Sequence, residues 1–232
     1  MDKKHIVILT GAGISAESGL KTFRDHDGLW MGYRMEEVAT PEAFAKNQPL
    51  VLDFYNQRRA EVAAAMPNAA HLGLVTMEEY FRVTIITQNV DDLHERAGST
   101  NVLHLHGEIF KMRSVADTET IYPCTGVIQV GDLAPDGYQL RPHIVWFGEA
   151  VPRLAEAAAF VHDCDALVVI GTSLQVYPAA SLLQYAAAGI PLYIVDKKIP
   201  LVQTDFHLHT IALPATAGVG QLISLLKEKF NN

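Results

Sequence analysis

An α/β fold is predicted, a Rossmann-like parallel sheet with helices on both faces plus a smaller inserted lobe, from three features of the 232-residue sequence. Short apolar runs alternate with helical stretches, which is the pattern of a mostly parallel sheet covered on both sides. The first apolar run ends in a GxGxxA turn, and two segments, 31–67 and 107–142, break the alternation.

The elements follow from local pattern. Residues 5–10 (HIVILT) form the first expected strand, and Gly11-Ala12-Gly13-Ile14-Ser15-Ala16 follows it directly as a turn expected to open a helix. Segment 31–67 reads as helical, with Pro41 and Pro49 at helix starts, where a missing N–H costs nothing. Further strands are expected at 82–88 (RVTIITQ), 102–105 (VLHL), 143–147 (HIVWF), 166–171 (ALVVIG) and 191–195 (PLYIV). Segment 107–142 is mixed, polar and rich in Gly, Pro and Asp. In 217–230, Val219, Leu222, Ile223, Leu226 and Phe230 share one helix face. The expected division is a single catalytic unit with a large lobe of 1–30, 68–106 and 143–232 and a small lobe of 31–67 and 107–142. A substrate is expected in the cleft between them.

Composition narrows the function. Charged residues are 19% of the chain and hydrophobic ones 49%, which argues for a buried core and against disorder. A net charge of −8 with no basic run disfavours nucleic acid as a partner. The apolar stretch Ile6 to Leu9 is too short for a secretory leader, and no run reaches the ~18 apolar residues of a membrane span, so the expected location is cytoplasmic with no membrane partner. Two cysteines, Cys124 and Cys164, make neither a CxxC pair nor a metal cluster.

The glycine turn suits a pyrophosphate, since Gly11 permits the tight turn and Gly13 a close backbone approach. An ordinary strand-to-helix turn is the alternative. The Rossmann acid about 20 residues on is missing because 20–80 shows no strand, which disfavours a plain dehydrogenase. Phe23 and Arg24 follow, an aromatic to cover a ring face and a guanidinium to reach a diphosphate. Gln88, Asn89 and Asp91 stand at the carboxyl end of a strand, suited to a carboxamide and ribose hydroxyls, with helix capping by Asn89 or Asp91 as the alternative. Alternation puts His104 and His106 on one face; His106 is the candidate general base and His104 is expected to be structural. Gly171, Thr172 and Ser173 offer amides and hydroxyls, and Asp196 offers a ribose-binding carboxylate. Together these describe a dinucleotide site.

In order along the chain, GAGISAESGLKTFR, TQNVDDLHERAG, HLHGE, RPHIVWFGE and GTSLQVYPAA resemble the motifs of the sirtuins, NAD-dependent protein lysine deacylases. The nearest likeness is to the bacterial and mitochondrial branch that removes acidic acyl groups. The resemblance implies that NAD is consumed as co-substrate at Gly11, Ala12, Gly13, Ser15, Phe23, Arg24, Gln88, Asn89, Asp91, Gly171, Thr172, Ser173 and Asp196. It makes His106 the catalytic base, with Asn89 and Asp91 nearest the nicotinamide and its ribose. Val145, Trp146, Phe147, Gly148 and Glu149 become the strand that pairs with an acyl-lysine peptide. Tyr55 and Arg58, one turn apart on a helix, resemble the Tyr-x-x-Arg pair that binds a succinyl, malonyl or glutaryl carboxylate. The alternative there is a solvated helix face with Arg59 or Glu61 as companions. The implied products are free lysine, nicotinamide and O-acyl-ADP-ribose.

Three departures stand out. Sirtuins usually carry four zinc-binding cysteines, whereas 107–142 holds Cys124 alone and no histidine, so no zinc is expected and packing around Ile121, Tyr122, Val127, Ile128 and Val130 is expected instead. Lys21 replaces a proline, and the adenosine-side segment reads IVDKK. Two other readings are a protein ADP-ribosyltransferase using the same NAD site and a non-catalytic NAD or ADP-ribose sensor.

Overall fold

The computed structural model of the chain describes residues 2–22, 30, 32–202 and 207–230. Its strands are β1 (His5–Thr10), β2 (Arg82–Thr87), β3 (Val102–His104), β4 (Gly107–Ser114), β5 (Ile121–Pro123), β6 (Leu140–Ile144), β7 (Ala166–Ile170), β8 (Pro191–Val195) and β9 (His207–Ile211). Six of them form one parallel sheet in the order β3-β2-β1-β7-β8-β9. That is the doubly wound order, with the chain reversing direction between β1 and β7.

Both faces of the sheet's interior are covered, which is why β1, β7 and β8 read as unbroken apolar runs. Ile6 and Ile8 of β1 point into a core shared with α4 (Ala69–Met77) and α7 (Ala215–Phe230), while Val7 and Leu9 point into a second core with α6 (Leu154–His162). The closing helix buries Val219, Leu222 and Leu226 and packs Ile223 and Phe230 against the same core.

A third apolar cluster lies beyond this sheet, under α1 (Met35–Val38), α2 (Pro41–Lys46), α3 (Gln48–Ala64) and an antiparallel sheet of order β5-β4-β6. Pro41 is the first residue of α2, whose Thr40 cap accepts from the Ala43 amide at 3.0 Å. Pro49 is the second residue of α3, capped by the Asn47 side chain. In this position proline takes a slot whose N–H has no helical partner.

Several expectations are corrected. The GxGxxA turn opens no α-helix: two short 3-10 turns, Ala12–Ile14 and Ala16–Ser18, follow β1 and stop at Gly19, which is left-handed at φ +88. The strand expected at 143–147 runs instead from Leu140 to Ile144 and pairs antiparallel with β4. Its apolar continuation is explained by burial of Trp146 among Phe44 and Tyr55 rather than by a ladder. β4 and β5 inside 107–142, and the polar edge strand β9, carry no apolar run by which to be found. Ile128 is buried and Tyr122 packs on the third cluster, but Ile121, Val127 and Val130 are exposed.

Candidate active site

The reversal point of the sheet is crowded with glycine. The Gly11 amide donates to the Ile170 carbonyl at 3.0 Å and the Gly13 amide to the Gly171 carbonyl at 2.8 Å. A Cβ on Gly13 would stand 2.6 Å from the Gly171 Cα, and Gly171 itself is left-handed at φ +63. The glycines therefore let the two loops nest at the carboxyl ends of β1 and β7, where doubly wound sheets bind ligands.

A cavity of about 520 Å³ opens there. Its lining includes Gly11, Ala12, Gly13, Ser15, Gln88, Asn89, Asp91, His106, Gly171, Thr172, Ser173 and Asp196, and also Tyr55, Arg58 and Val145, Trp146, Phe147, Gly148 and Glu149. Phe23 and Arg24 lie outside the described residues. Trp30, Val176 and Tyr177 line the cavity as well; sequence reasoning missed them because they belong to no recognised chemical pattern.

Its floor is a buried polar network. The Ser15 hydroxyl donates to Asp91 Oδ2 at 3.1 Å and accepts from Asn89 Nδ2 at 3.2 Å, and the same amide reaches the Gly11 carbonyl. Asp91 Oδ1 accepts from the Leu93 amide, so this carboxylate holds the turn that leads into α5 (Leu93–Ala97) and also lines the cavity. Burial raises the Asp91 pKa, against the pull of the Leu93 amide, the Ser15 hydroxyl and the Arg58 charge. Gln88 Nε2 donates to Thr172 Oγ1 at 3.1 Å, linking the ends of β2 and β7. Asp196 Oδ1 accepts from the Lys198 amide at 2.8 Å.

The two histidines divide as their partners dictate. His106 Nδ1 lies 3.0 Å from the Gln88 carbonyl, an acceptor only, so Nδ1 carries the proton and Nε2 the lone pair. Burial lowers its pKa despite that bond, which keeps it neutral near pH 7. His104 has Nδ1 at 3.1 Å from the Asn89 carbonyl and Nε2 at 2.7 Å from Glu95 Oε1, so both nitrogens donate. Burial opposes its charge, but the Glu95 carboxylate prevails and raises its pKa. His104 is a structural histidine, held between the Asn89 carbonyl and the Glu95 carboxylate.

On α3, Tyr55 and Arg58 are both buried and both face the cavity, which sets aside a solvated helix face. The Tyr55 hydroxyl accepts from Trp146 Nε1 at 3.0 Å, and burial raises its pKa, so its own proton stays available to donate. Arg58 Nη1 donates to Glu61 Oε2 at 3.1 Å, so Glu61 is its companion even though the guanidinium is buried. Arg59 is structural, bonding the Ile109 and Gly126 carbonyls.

The segment after β6 is more occupied than a free strand edge. Amides of Val145 and Phe147 donate to the His106 and Ala39 carbonyls, and that of Trp146 donates to Glu149 Oε2 at 2.7 Å. Glu149 is held by Arg141 at 2.6 Å, and the Arg141 guanidinium lies 3.2 Å over the Trp146 ring. Glu149 thus anchors the loop with its carboxylate. Cys124 is buried, with its Sγ 3.7 Å from the Gly126 carbonyl, and the described residues include no group of three or more potential ligands. A tetrahedral zinc centre does not fit this donor set.

An all-parallel doubly wound sheet with a glycine-lined reversal point, a neutral imidazole and a buried carboxylate at one cleft defines a dinucleotide-type α/β protein. Residues 11–178 match the Sir2 family, and the chain belongs to that family, the sirtuins. It is 56% identical over 195 residues to a Helicobacter pylori protein named NAD-dependent protein deacylase, covering 84% of this chain and 85% of the relative. A Bacteroides thetaiotaomicron protein of the same name is 48% identical over 229 residues, covering 96% and 98%. A solved Sir2 homologue variant in complex with ADP-ribose superposes with a TM-score of 0.87 at 36% identity, covering 99% of this chain and 94% of that one.

Proposed function

We propose that this chain removes acyl groups from protein lysines with NAD as co-substrate, giving free lysine, nicotinamide and O-acyl-ADP-ribose. The observation that carries the proposal is one cavity that joins the glycine-lined reversal point, the neutral His106 and the Tyr55–Arg58 pair. NAD supplies an electrophilic ribose carbon with nicotinamide as its leaving group. Asn89 and Asp91, fixed through Ser15, face the nicotinamide end; Gly171, Thr172, Ser173 and Asp196 face the adenosine end. The acyl carbonyl oxygen displaces nicotinamide at that ribose carbon. His106 Nε2 then takes the proton from a ribose hydroxyl as its oxygen adds to the resulting imidate carbon, and addition of water with loss of the amine frees lysine and leaves the acyl group on ADP-ribose. An approaching peptide lies along Val145–Glu149 and pairs with the backbone groups left there, since the Val145, Trp146, Phe147 and Glu149 amides already have acceptors within the chain.

The acyl group we assign is acidic. A buried guanidinium and a protonated phenol at one end of the cleft match a carboxylate on a short chain, and a neutral acetyl group also fits. Arrangement as a large lobe of 1–30, 68–106 and 143–232 with a small lobe of 31–67 and 107–142 belongs to the same reading. So do independence of zinc and a cytoplasmic location, which suits two buried free thiols, Cys124 and Cys164. No helix among the described residues is long and apolar enough to cross a membrane.

The test is Arg58→Met on one peptide carrying either a succinyl or an acetyl lysine. A hydrogen bond to a charged group is worth about 1.5–3 kcal/mol, so desuccinylation should fall roughly ten- to a hundredfold further than deacetylation. Equal losses on both peptides would mean that Arg58 serves the fold, and the acidic-acyl assignment would be dropped.

A further inference from the structure

Glu61 stands one turn beyond Arg58 on α3 and gives it its ion pair, Nη1 to Oε2 at 3.1 Å, with the Arg58 side chain 7% exposed and that of Glu61 38% exposed. The guanidinium has other anchors. Nη2 points to the Lys21 carbonyl at 3.4 Å, and its carbon lies 5.8 Å over the Trp30 ring. Arg58 Nε is buried with no hydrogen-bond acceptor among the described residues. Arg58, Lys21 and Trp30 all line the cavity, while Glu61 does not. Arg58 therefore has a buried donor with no acceptor among the described residues and a carboxylate already attached on the side away from the cavity lining.

From this we infer that Glu61 is a specificity-determining residue that weakens the site for acyl chains ending in a carboxylate and so keeps neutral acyl chains competitive. The inference rests on the proposed acidic-acyl role of Arg58. A substrate carboxylate entering the cavity shares a guanidinium that is already paired with Glu61, and the two carboxylates repel across it. A neutral acyl chain meets no such repulsion. Other groups hold the guanidinium in place, so removing the Glu61 charge leaves its position and raises its effective charge toward the cavity.

Glu61→Gln tests this, since glutamine keeps the helix propensity and the bond to Arg58 while losing the charge. The readout is the ratio of kcat/KM for a succinyl-lysine peptide to that for the acetyl-lysine form of the same peptide. At low salt the ratio should rise roughly three- to tenfold, through a lower KM for the succinyl peptide. The gain should shrink as salt screens the repulsion, which a purely structural role would not do. Glu61→Ala should raise the ratio too, and unchanged unfolding midpoints confirm that both variants are folded. Arg58→Met, measured alongside, separates the two readings. A ratio that falls in Arg58→Met but is unchanged or lower in both Glu61 variants overturns this inference alone; a ratio unmoved in Arg58→Met overturns the acidic-acyl reading beneath it.

Discussion

Replacing His106 by alanine removes the imidazole that faces the cavity, and the described residues around it supply no substitute. His104, two residues away, has both ring nitrogens engaged, by the Asn89 carbonyl and the Glu95 carboxylate, so neither is free to take a substrate proton. The Asp91 carboxylate is committed to Ser15 and the Leu93 amide, and Glu149 to Arg141. The loss should be that of a general base, about 10²- to 10⁴-fold in kcat, or about 3–5 kcal/mol in the barrier. His106 is only half-buried and its side chain makes one hydrogen bond among the described residues, to the Gln88 carbonyl, so the unfolding midpoint should move little. The assay is single-turnover formation of O-acyl-ADP-ribose with saturating NAD and acyl peptide, with urea unfolding in parallel. A second signature is the pH profile. Burial depresses the His106 pKa, so the neutral base persists at neutral pH and activity is lost only as pH falls through a value below the ordinary histidine range. A folded His106→Ala protein within threefold of wild-type turnover would refute the assignment.

Burial lowers the His71 pKa from an ordinary 6.5 to about 4 in the folded chain. Between those values the unfolded chain binds more protons, so the contribution of His71 to stability is present above 6.5 and is lost as pH falls. Urea unfolding should show that His71→Asn abolishes about 2 kcal/mol of the stability change between pH 7 and pH 5; an unaltered pH dependence would contradict the burial argument. Protein purified without added metal should contain no stoichiometric zinc by elemental analysis and should retain activity in chelator, because 107–142 holds no cysteine besides Cys124 and no histidine. Zinc retained at one atom per chain and required for turnover would show that residues outside 107–142 supply ligands.

The parts of the fold that were legible are those whose signal is local. Strand β1 announces itself because both of its faces are buried, and Gly11 and Gly13 because a turn must follow where another backbone comes close. His106 was readable as a base because a histidine stands just past an apolar run and against Gly107, although the strand itself stops at His104; its tautomer depends on the Gln88 carbonyl, eighteen residues away. Glu149 shows what was hidden. Nothing local marks it as an anchor, since Arg141 and Arg113 reach it only once β6 and β4 pair. Arg58 was equally ambiguous, because helical spacing gives it Tyr55 and Glu61 as neighbours whether its face is wet or dry. Burial against Trp30 and the cavity decides that, and burial is a property of the whole fold. The polar strand β9 went unread because it is an edge, where the sheet demands no apolar run.

The measurement that reaches the central claim is nicotinamide release from NAD by the purified chain, followed with and without an acyl-lysine peptide and with product mass determined. The account predicts release that depends on the acyl peptide, with one O-acyl-ADP-ribose and one free lysine formed per nicotinamide. Release without the acyl peptide together with ADP-ribose attached to protein, or binding of NAD with no release at all, would contradict it.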